Sequence, residues 1–242
     1  MSAGIARLTI AYDGAPFAGW ARQPGQRTVQ SELEDALAVV LREPVALTVA
    51  GRTDAGVHAL GQVASYAGPL PGVEGVNALL PDEITVLAAE AAPAGFDARR
   101  SARSRTYVYR MLARSAPSPF ERGRALHWPY RVDRELLDAC AAALPGEHDF
   151  TAFTPTETDH VRFERVVLDA RWRDAGGDVL EFWIEADAFM RQMNRILVGT
   201  MLEVAGGRRS LESFTTLLQG AHRRDAGVTA PPHGLYLACV SY

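Results

Sequence analysis

VALTVAGRTDAGVHALGQVASYA, residues 45–67, joins two apolar runs through a short charged break. Val45–Ala50 and Gly61–Ala67 each read as a strand. Between them lies GRTDAGVHA, Gly51 to Ala59, with Arg52 and Asp54 two positions apart and glycines on both sides. Glycine at such a break permits positive φ and predicts a tight turn. An arginine and a carboxylate are therefore placed on a turn at the end of a buried strand.

Outward from this stretch, strands and helices alternate. Ile5 to Tyr12 reads as a strand, and Asp13-Gly14-Ala15-Pro16 as a turn. Val29, Leu33, Ala36, Leu37, Val40 and Leu41 recur at helical spacing, so a helix is expected from Thr28 to Arg42, capped by Thr28 or Ser31. A short helix from Gly72 to Leu80 stops at Pro81, and Ile84 to Ala92 is a strand. From Arg105 to Ala113, Tyr107, Tyr109 and Met111 point one way and Val108, Arg110 and Leu112 the other. Asp133 caps a helix to Leu144. Val161–Arg173 and Val179–Ala186 form a hairpin about Asp174-Ala175-Gly176-Gly177. A helix is expected from Phe189 to Val204, ended by Gly206-Gly207, then another from Ser210 to Gln219 and a last strand from Leu235 to Tyr242. The first half thus runs strand, helix, strand, strand, helix, strand, and the second repeats this loosely with an extra helix. That order and the short links predict an α+β protein of two ferredoxin-like halves, the shape of RNA-recognition modules, forming one largely antiparallel sheet with helices packed on it. The softest boundary is Ala98 to Ser104, which makes the halves 1–104 and 105–242.

At 242 residues, 48% hydrophobic and 22% charged, the chain is of ordinary globular make-up, with room for a substantial core. No apolar run approaches the ~20 residues that span a bilayer, so no membrane partner is expected. Met1-Ser2-Ala3-Gly4 leads almost directly into a strand, which argues against a signal peptide. Cys140 and Cys239 are far apart and suggest neither a disulfide framework nor a zinc site, so a cytoplasmic location is expected. All 25 basic residues are arginine. The absence of lysine removes the Walker phosphate loop and Schiff-base chemistry.

The net charge of −4 hides a local asymmetry. From Arg99 to Arg131 there are nine arginines against one acid, Glu121, a local charge of +8. Such a stripe suits phosphate binding, and it equally suits a solvated surface whose acidic partners lie elsewhere in the fold.

Elimination narrows the chemistry. The six histidines are scattered and there is no HxxxH or CxxC pair, so no metal site is expected. No Gly-x-Gly-x-x-Gly follows a strand and no Gly-x-Ser-x-Gly is present, which argues against nucleotide cofactors and serine hydrolases. Carboxylate chemistry remains, with Asp54 the candidate. Taken alone, an aspartate before Ala-Gly is more often a turn former bonded to its own backbone.

GRTDAGVHA resembles the signature of the TruA-type tRNA pseudouridine synthases. The resemblance runs through most of the chain. Tyr12-Asp13-Gly14, Phe17, Gly19-Trp20 and Gln23 resemble the family's N-terminal loop, and Thr28-Val29-Gln30, Leu33-Glu34 and Ala36-Leu37 its following helix. Phe96, Ala98-Arg99, Ser101-Ala102, Arg105, Tyr107 and Tyr109 resemble the segment with its base-packing tyrosine. Phe189, Met193, Arg195, Val198-Gly199 and Met201 to Val204 resemble its active-site helix, and Gly234 to Leu237 its last strand.

The resemblance implies the pseudouridine synthase fold and the isomerisation of uridine to pseudouridine at positions 38, 39 and 40 of the tRNA anticodon stem-loop. It implies Asp54 as nucleophile, Tyr107 packed against a flipped-out base, Arg52 holding the flipped nucleotide, Arg195 paired with the catalytic aspartate, and Leu235 in the apolar wall. It further implies tRNA as partner, a homodimer, and no cofactor. Breaking an N-glycosidic bond and remaking it through carbon needs neither redox chemistry nor an energy donor. A carboxylate can serve as nucleophile, and a flipped base needs an aromatic face. Read without the family, Tyr107 is a strand tyrosine in the core, Arg195 lies on a solvated helix face, and Leu235 is core.

The chain departs from the family pattern at Ala21, where glutamine is frequent, at Thr154, which replaces an arginine, and at Asn194 and Ile196, which flank Arg195. Two further readings differ in class: a non-catalytic tRNA-binding or folding chaperone on the same scaffold, which needs only the basic cleft, and a nucleoside hydrolase, which needs a second acid to activate water.

Overall fold

The computed structural model describes residues 4–158 and 160–242; Met1-Ser2-Ala3, on which the leader expectation largely rests, lie outside the described residues. The chain packs as two compact units, one running to Arg105 and joined by Tyr236–Tyr242, the other Thr106–Leu235.

In the first unit, β1 (Ile5–Tyr12) alternates strictly between half-buried and buried positions, as its period-2 sequence demands. It pairs antiparallel with β3 (His58–Ala67) on one edge and β4 (Ile84–Ala92) on the other. The short β2 (Thr48–Val49) pairs antiparallel with β3 at Ser65 and Ala64. With α1 (Val29–Leu41) after β1 and α2 (Val73–Asn77) after β3, the order β4-β1-β3-β2 is the ferredoxin-like arrangement. Thr28 caps α1: its side chain accepts from Ser31 N while Ser31 Oγ accepts from Thr28 N, each at 3.2 Å. Such a cap contributes about 1 kcal/mol. Leu33 and Leu37 of α1 are wholly buried, as are Leu8 and Ile10 of β1. Each such side chain gains roughly 1.5–3 kcal/mol by leaving water.

The expected strand Val45–Ala50 shrinks to β2 because Leu47 N donates to the Glu34 carboxylate, 3.0 Å away, instead of to a strand partner. The last strand, β10 (Leu235–Ser241), is the main correction to the halves read from sequence. It pairs parallel with β3, Tyr236 against His58 and Leu237 against Ala59, so Tyr236 onward belongs to the first unit.

The second unit has the strand order β5-β9-β8-β7, built from β5 (Ser104–Leu112), whose first two residues precede the boundary, β7 (Gly146–Asp149), β8 (Glu164–Gly176) and β9 (Val179–Ala186). The two-residue β6 (Leu126–His127) runs parallel beside β5. The hairpin turns at Gly177 and Asp178, not at Asp174–Gly177. Both turn residues have positive φ, 61° and 64°, which gives the type I′ geometry that matches strand twist. Helix α3 (Arg134–Ala142), capped by Asp133, packs on β8, on α4 (Met193–Ala205) and on α5 (Leu211–Leu217). Phe150, Phe153 and Phe214 are fully buried and meet edge to face at 6.0 and 6.2 Å.

Helix α4 starts four residues later than its apolar spacing predicts. Gln192 has φ 61°, a left-handed conformation that no α-helix continues through, so Phe189 to Gln192 stay outside the helix and Met193 N closes a turn on Met190 O at 3.2 Å. No helix among the described residues is long and apolar enough to cross a membrane.

Candidate active site

The loop from Gly51 leaves the sheet directly after Ala50, whose N–H still bonds Val63 O at 2.9 Å. Exposure then alternates: Arg52 is exposed, Thr53 buried, Asp54 half-buried. Asp54 O accepts from Val57 N at 3.1 Å and closes a four-residue turn. Gly56, third in that turn, has φ 76°, the left-handed position that only glycine adopts without strain. Asp54 is therefore a turn former and a partly exposed carboxylate at once. A carboxylate so placed can act as nucleophile or base.

Beneath the loop lies a polar network that the sequence reading missed. Thr53 Oγ1 and the Tyr12 hydroxyl share a 2.8 Å hydrogen bond. Gln62, wholly buried, donates to Gly51 O at 2.7 Å and reaches the Tyr12 oxygen at 3.4 Å. Trp20 N donates to Thr53 O at 3.0 Å. Burial pushes the Tyr12 phenol up to about 12, against the pull of its bonds to Thr53 and Gln62. Gly14 and Gly19 let the N-terminal loop lie against this one: a Cβ on Gly14 would stand 2.0 Å from Val57 O, and one on Gly19 2.8 Å from Thr53 O. His58, at the far end of the motif, is buried and stacks on Tyr236 at 4.5 Å. Its Nδ1 accepts from Gly14 N at 3.0 Å and lies equally 3.0 Å from Asp13 Oδ1. One nitrogen cannot serve both at once: a bare Nδ1 accepts from Gly14 N, and an Nδ1 carrying hydrogen donates to Asp13.

Tyr107, Arg195 and Leu235 lie in the second unit. Tyr107 is 8% exposed and meets Phe189 edge to face at 5.0 Å, 78° between planes. Both faces of β5 are covered, since Val108, Tyr109, Met111 and Leu112 are buried as well. Arg195 sits in the first turn of α4, half-buried, so it is not the solvated arginine its helix position suggests. Its Nε donates to Ala230 O at 2.7 Å, and its own carbonyl accepts from Ala230 N at 3.0 Å. The chain after Val228 is thereby strapped to α4, and Gly199 permits the approach: a Cβ there would meet Val228 O at 1.8 Å. Tyr109 donates to Pro231 O at 2.9 Å; burial raises its pKa while the Arg195 charge pulls it down. Leu235, at the start of β10, is buried.

A family model described as tRNA pseudouridine synthase matches residues 140–242. A protein of Frankia casuarinae named tRNA pseudouridine synthase A is 46% identical over 244 residues, covering 98% of this chain and 88% of that one. Its namesakes from Bacillus pumilus and Bacillus subtilis are each 40% identical over 243 residues, covering 98% of both chains. The chain belongs to the tRNA pseudouridine synthase A family.

Within this family member the arginine stripe divides. Arg105 bonds main-chain carbonyls. Arg110 pairs with Glu121 at 2.9 Å and Glu181 at 3.3 Å, and Arg114 stands 3.6 Å from Asp178. Arg99, Arg100, Arg103, Arg122, Arg124 and Arg131 are exposed. Glu121 within the stripe, with Glu181 and Asp178 from elsewhere in the fold, thus accounts for Arg110 and Arg114, and the exposed arginines keep the phosphate-binding reading. Three of the four family departures, Thr154, Asn194 and Ile196, are buried. Thr154 donates to Arg191 O at 3.3 Å, while the Asn194 Oδ1 is unpartnered among the described residues.

Proposed function

We propose that this chain isomerises uridine to pseudouridine in tRNA, at positions 38, 39 and 40 of the anticodon stem-loop, with Asp54 as nucleophile. The carrying observation is that a member of this family, matched to a relative over 98% of both chains, presents Asp54, half-buried, on a turn braced from beneath by buried Thr53. The Asp54 carboxylate bonds covalently to the nucleotide and is released again before the product leaves; meanwhile the N1–C1′ glycosidic bond breaks with its electron pair on N1, the uracil turns, and C5 bonds to C1′ while the C5 proton leaves to solvent and one returns to N1. The reaction consumes no oxidant, reductant or water.

In this reading the target nucleotide leaves its stack, and Tyr107 offers the aromatic face against which the base packs. Arg52, exposed on the same loop as Asp54, steadies the nucleotide's backbone. Arg195 supplies a cation whose orientation is set by its bond to Ala230, and Leu235 an apolar wall. The protein acts in the cytoplasm as a homodimer.

The test is unmodified tRNA with uridines in the anticodon stem-loop, incubated with purified protein and with Asp54→Asn, then mapped by carbodiimide labelling and primer extension. Pseudouridine from the wild type and none from the variant is expected. RNA binding by both proteins with no pseudouridine from either, across several tRNAs, would overturn the catalytic reading and leave a tRNA-binding chaperone.

A further inference from the structure

Arg105 ties two pieces of the first unit together through main-chain oxygens. Nη2 donates to Ala50 O at 3.0 Å and to Arg99 O at 2.8 Å, Nε to Ala50 O at 3.3 Å, and Nη1 to Ala102 O at 3.3 Å. Ala50 is the last residue before the Asp54 loop. Arg99 and Ala102 belong to a turn organised by Asp97, whose Oδ1 accepts from Arg99 N and Arg100 N, each at 2.8 Å. Ser101 closes that turn from the other side, its N donating to Asp97 O at 2.9 Å and its Oγ accepting from Asp97 N at 3.1 Å. Ala98, wholly buried, anchors it: its N donates to Ser65 Oγ at 3.0 Å and its carbonyl accepts from the Tyr242 hydroxyl at 2.8 Å. The backbone of the turn is thus tied down, and the side chains of Arg99 and Arg100 are exposed.

Two neighbouring guanidiniums on a preorganised turn form a site for phosphodiester oxygens, because little backbone entropy remains to be lost on binding. We propose that the Arg99-Arg100 turn binds the RNA backbone beside the nucleotide that meets Asp54, and that Arg105 is the positioning residue that keeps turn and carboxylate in register. This rests on the tRNA reading above. A planar guanidinium fork satisfies three carbonyls held at fixed angles, whereas a lysine ammonium is a point donor that cannot hold the same geometry.

The experiment compares wild type, a paired Arg99→Gln and Arg100→Gln variant, Arg105→Lys, and the combination of all three. Each is melted, titrated with unmodified tRNA over a range of salt, and followed for pseudouridine in a single turnover at saturating RNA. The paired variant should melt as the wild type does, bind more weakly, and lose up to about two from its log-log salt slope. Arg105→Lys keeps the charge, and its single-turnover rate should fall roughly 10- to 100-fold, the usual consequence of a misplacement near 1 Å. In the Arg105→Lys background the paired change should weaken binding by a smaller factor than in the wild type, a non-additivity that a general loss of stability does not produce. An unchanged salt slope in the paired variant overturns the phosphate site, whether or not Arg105→Lys folds. Simple multiplication of the two effects on binding, or a wild-type turnover rate for Arg105→Lys, overturns the positioning role. Should the wild type make no pseudouridine, the isomerase reading fails alone, because salt slope and non-additivity are read from binding.

Discussion

Tyr12 and Thr53, 41 residues apart, hold each other through a 2.8 Å hydrogen bond between buried side chains. Thr53 lies between Arg52 and Asp54, so this bond fastens the candidate catalytic loop to the end of β1. Tyr12→Phe removes the hydroxyl and leaves Thr53 Oγ1 without that partner. The expected cost is about 1–2 kcal/mol of stability, read from the urea midpoint. The single-turnover rate should fall while RNA affinity stays within about twofold, because the arginines proposed to bind RNA are untouched. An unaltered midpoint and rate would show the bond to be incidental.

Alkaline pH should destabilise the fold through the same tyrosine. Burial holds the phenols of Tyr12 and Tyr66 at about 12, against an ordinary 10.0. Above pH 10 the unfolded chain releases these protons and the folded chain keeps them. Their contribution is therefore complete below about pH 10 and is lost as pH rises toward 12, at roughly 1.4 kcal/mol per pH unit for each group. Urea unfolding in buffers from about pH 9 to about pH 12 should show that decline, and Tyr12→Phe should make it shallower. A flat profile would refute burial as the cause.

Asn194 is 4% exposed, and its Oδ1 has no hydrogen-bond partner among the described residues. A buried acceptor left unpaired costs about 1–3 kcal/mol. Asn194→Leu, of similar shape and better helix propensity, should raise the melting midpoint by roughly 2–4 °C. A fall in the midpoint would mean that the amide makes contacts worth more than its desolvation.

Gly14 leaves no room for a side chain. Alanine there would place Cβ 2.0 Å from Val57 O, inside the turn that Asp54 opens. Gly14→Ala should cost about 1–3 kcal/mol and reduce turnover more than RNA affinity. Gly72→Ala is the control, since a Cβ at Gly72 meets nothing within 4 Å and φ is −71°. It should stay within about 0.5 kcal/mol of the wild type, and equal losses in the two variants would refute the close-approach argument.

The chain itself determined the elements whose stability is local. β1 and β4 begin and end where their apolar patterns do, and α1 starts at its Thr28 cap, because hydrophobic period and capping chemistry act over a few residues. Arg52 and Asp54 were legible too, since glycines mark their turn and the motif is contiguous. Elements with distant partners were not. β7, with the polar sequence GEHD, is a strand only because β8 pairs with it. Phe189 continues the helical apolar spacing and yet lies outside the helix, since burial alone does not distinguish the two. β10 left the half in which the sequence placed it, because pairing with His58 and Ala59 is a long-range event. Tertiary structure likewise decided the support of the candidate site. Tyr12, Thr53 and Gln62 are ordinary polar residues in three separate segments, and Arg105 looked like one more charge in a basic stripe. Buried donors and acceptors must find partners wherever the fold supplies them, and only the fold shows that these residues do so under the Asp54 loop and at its base.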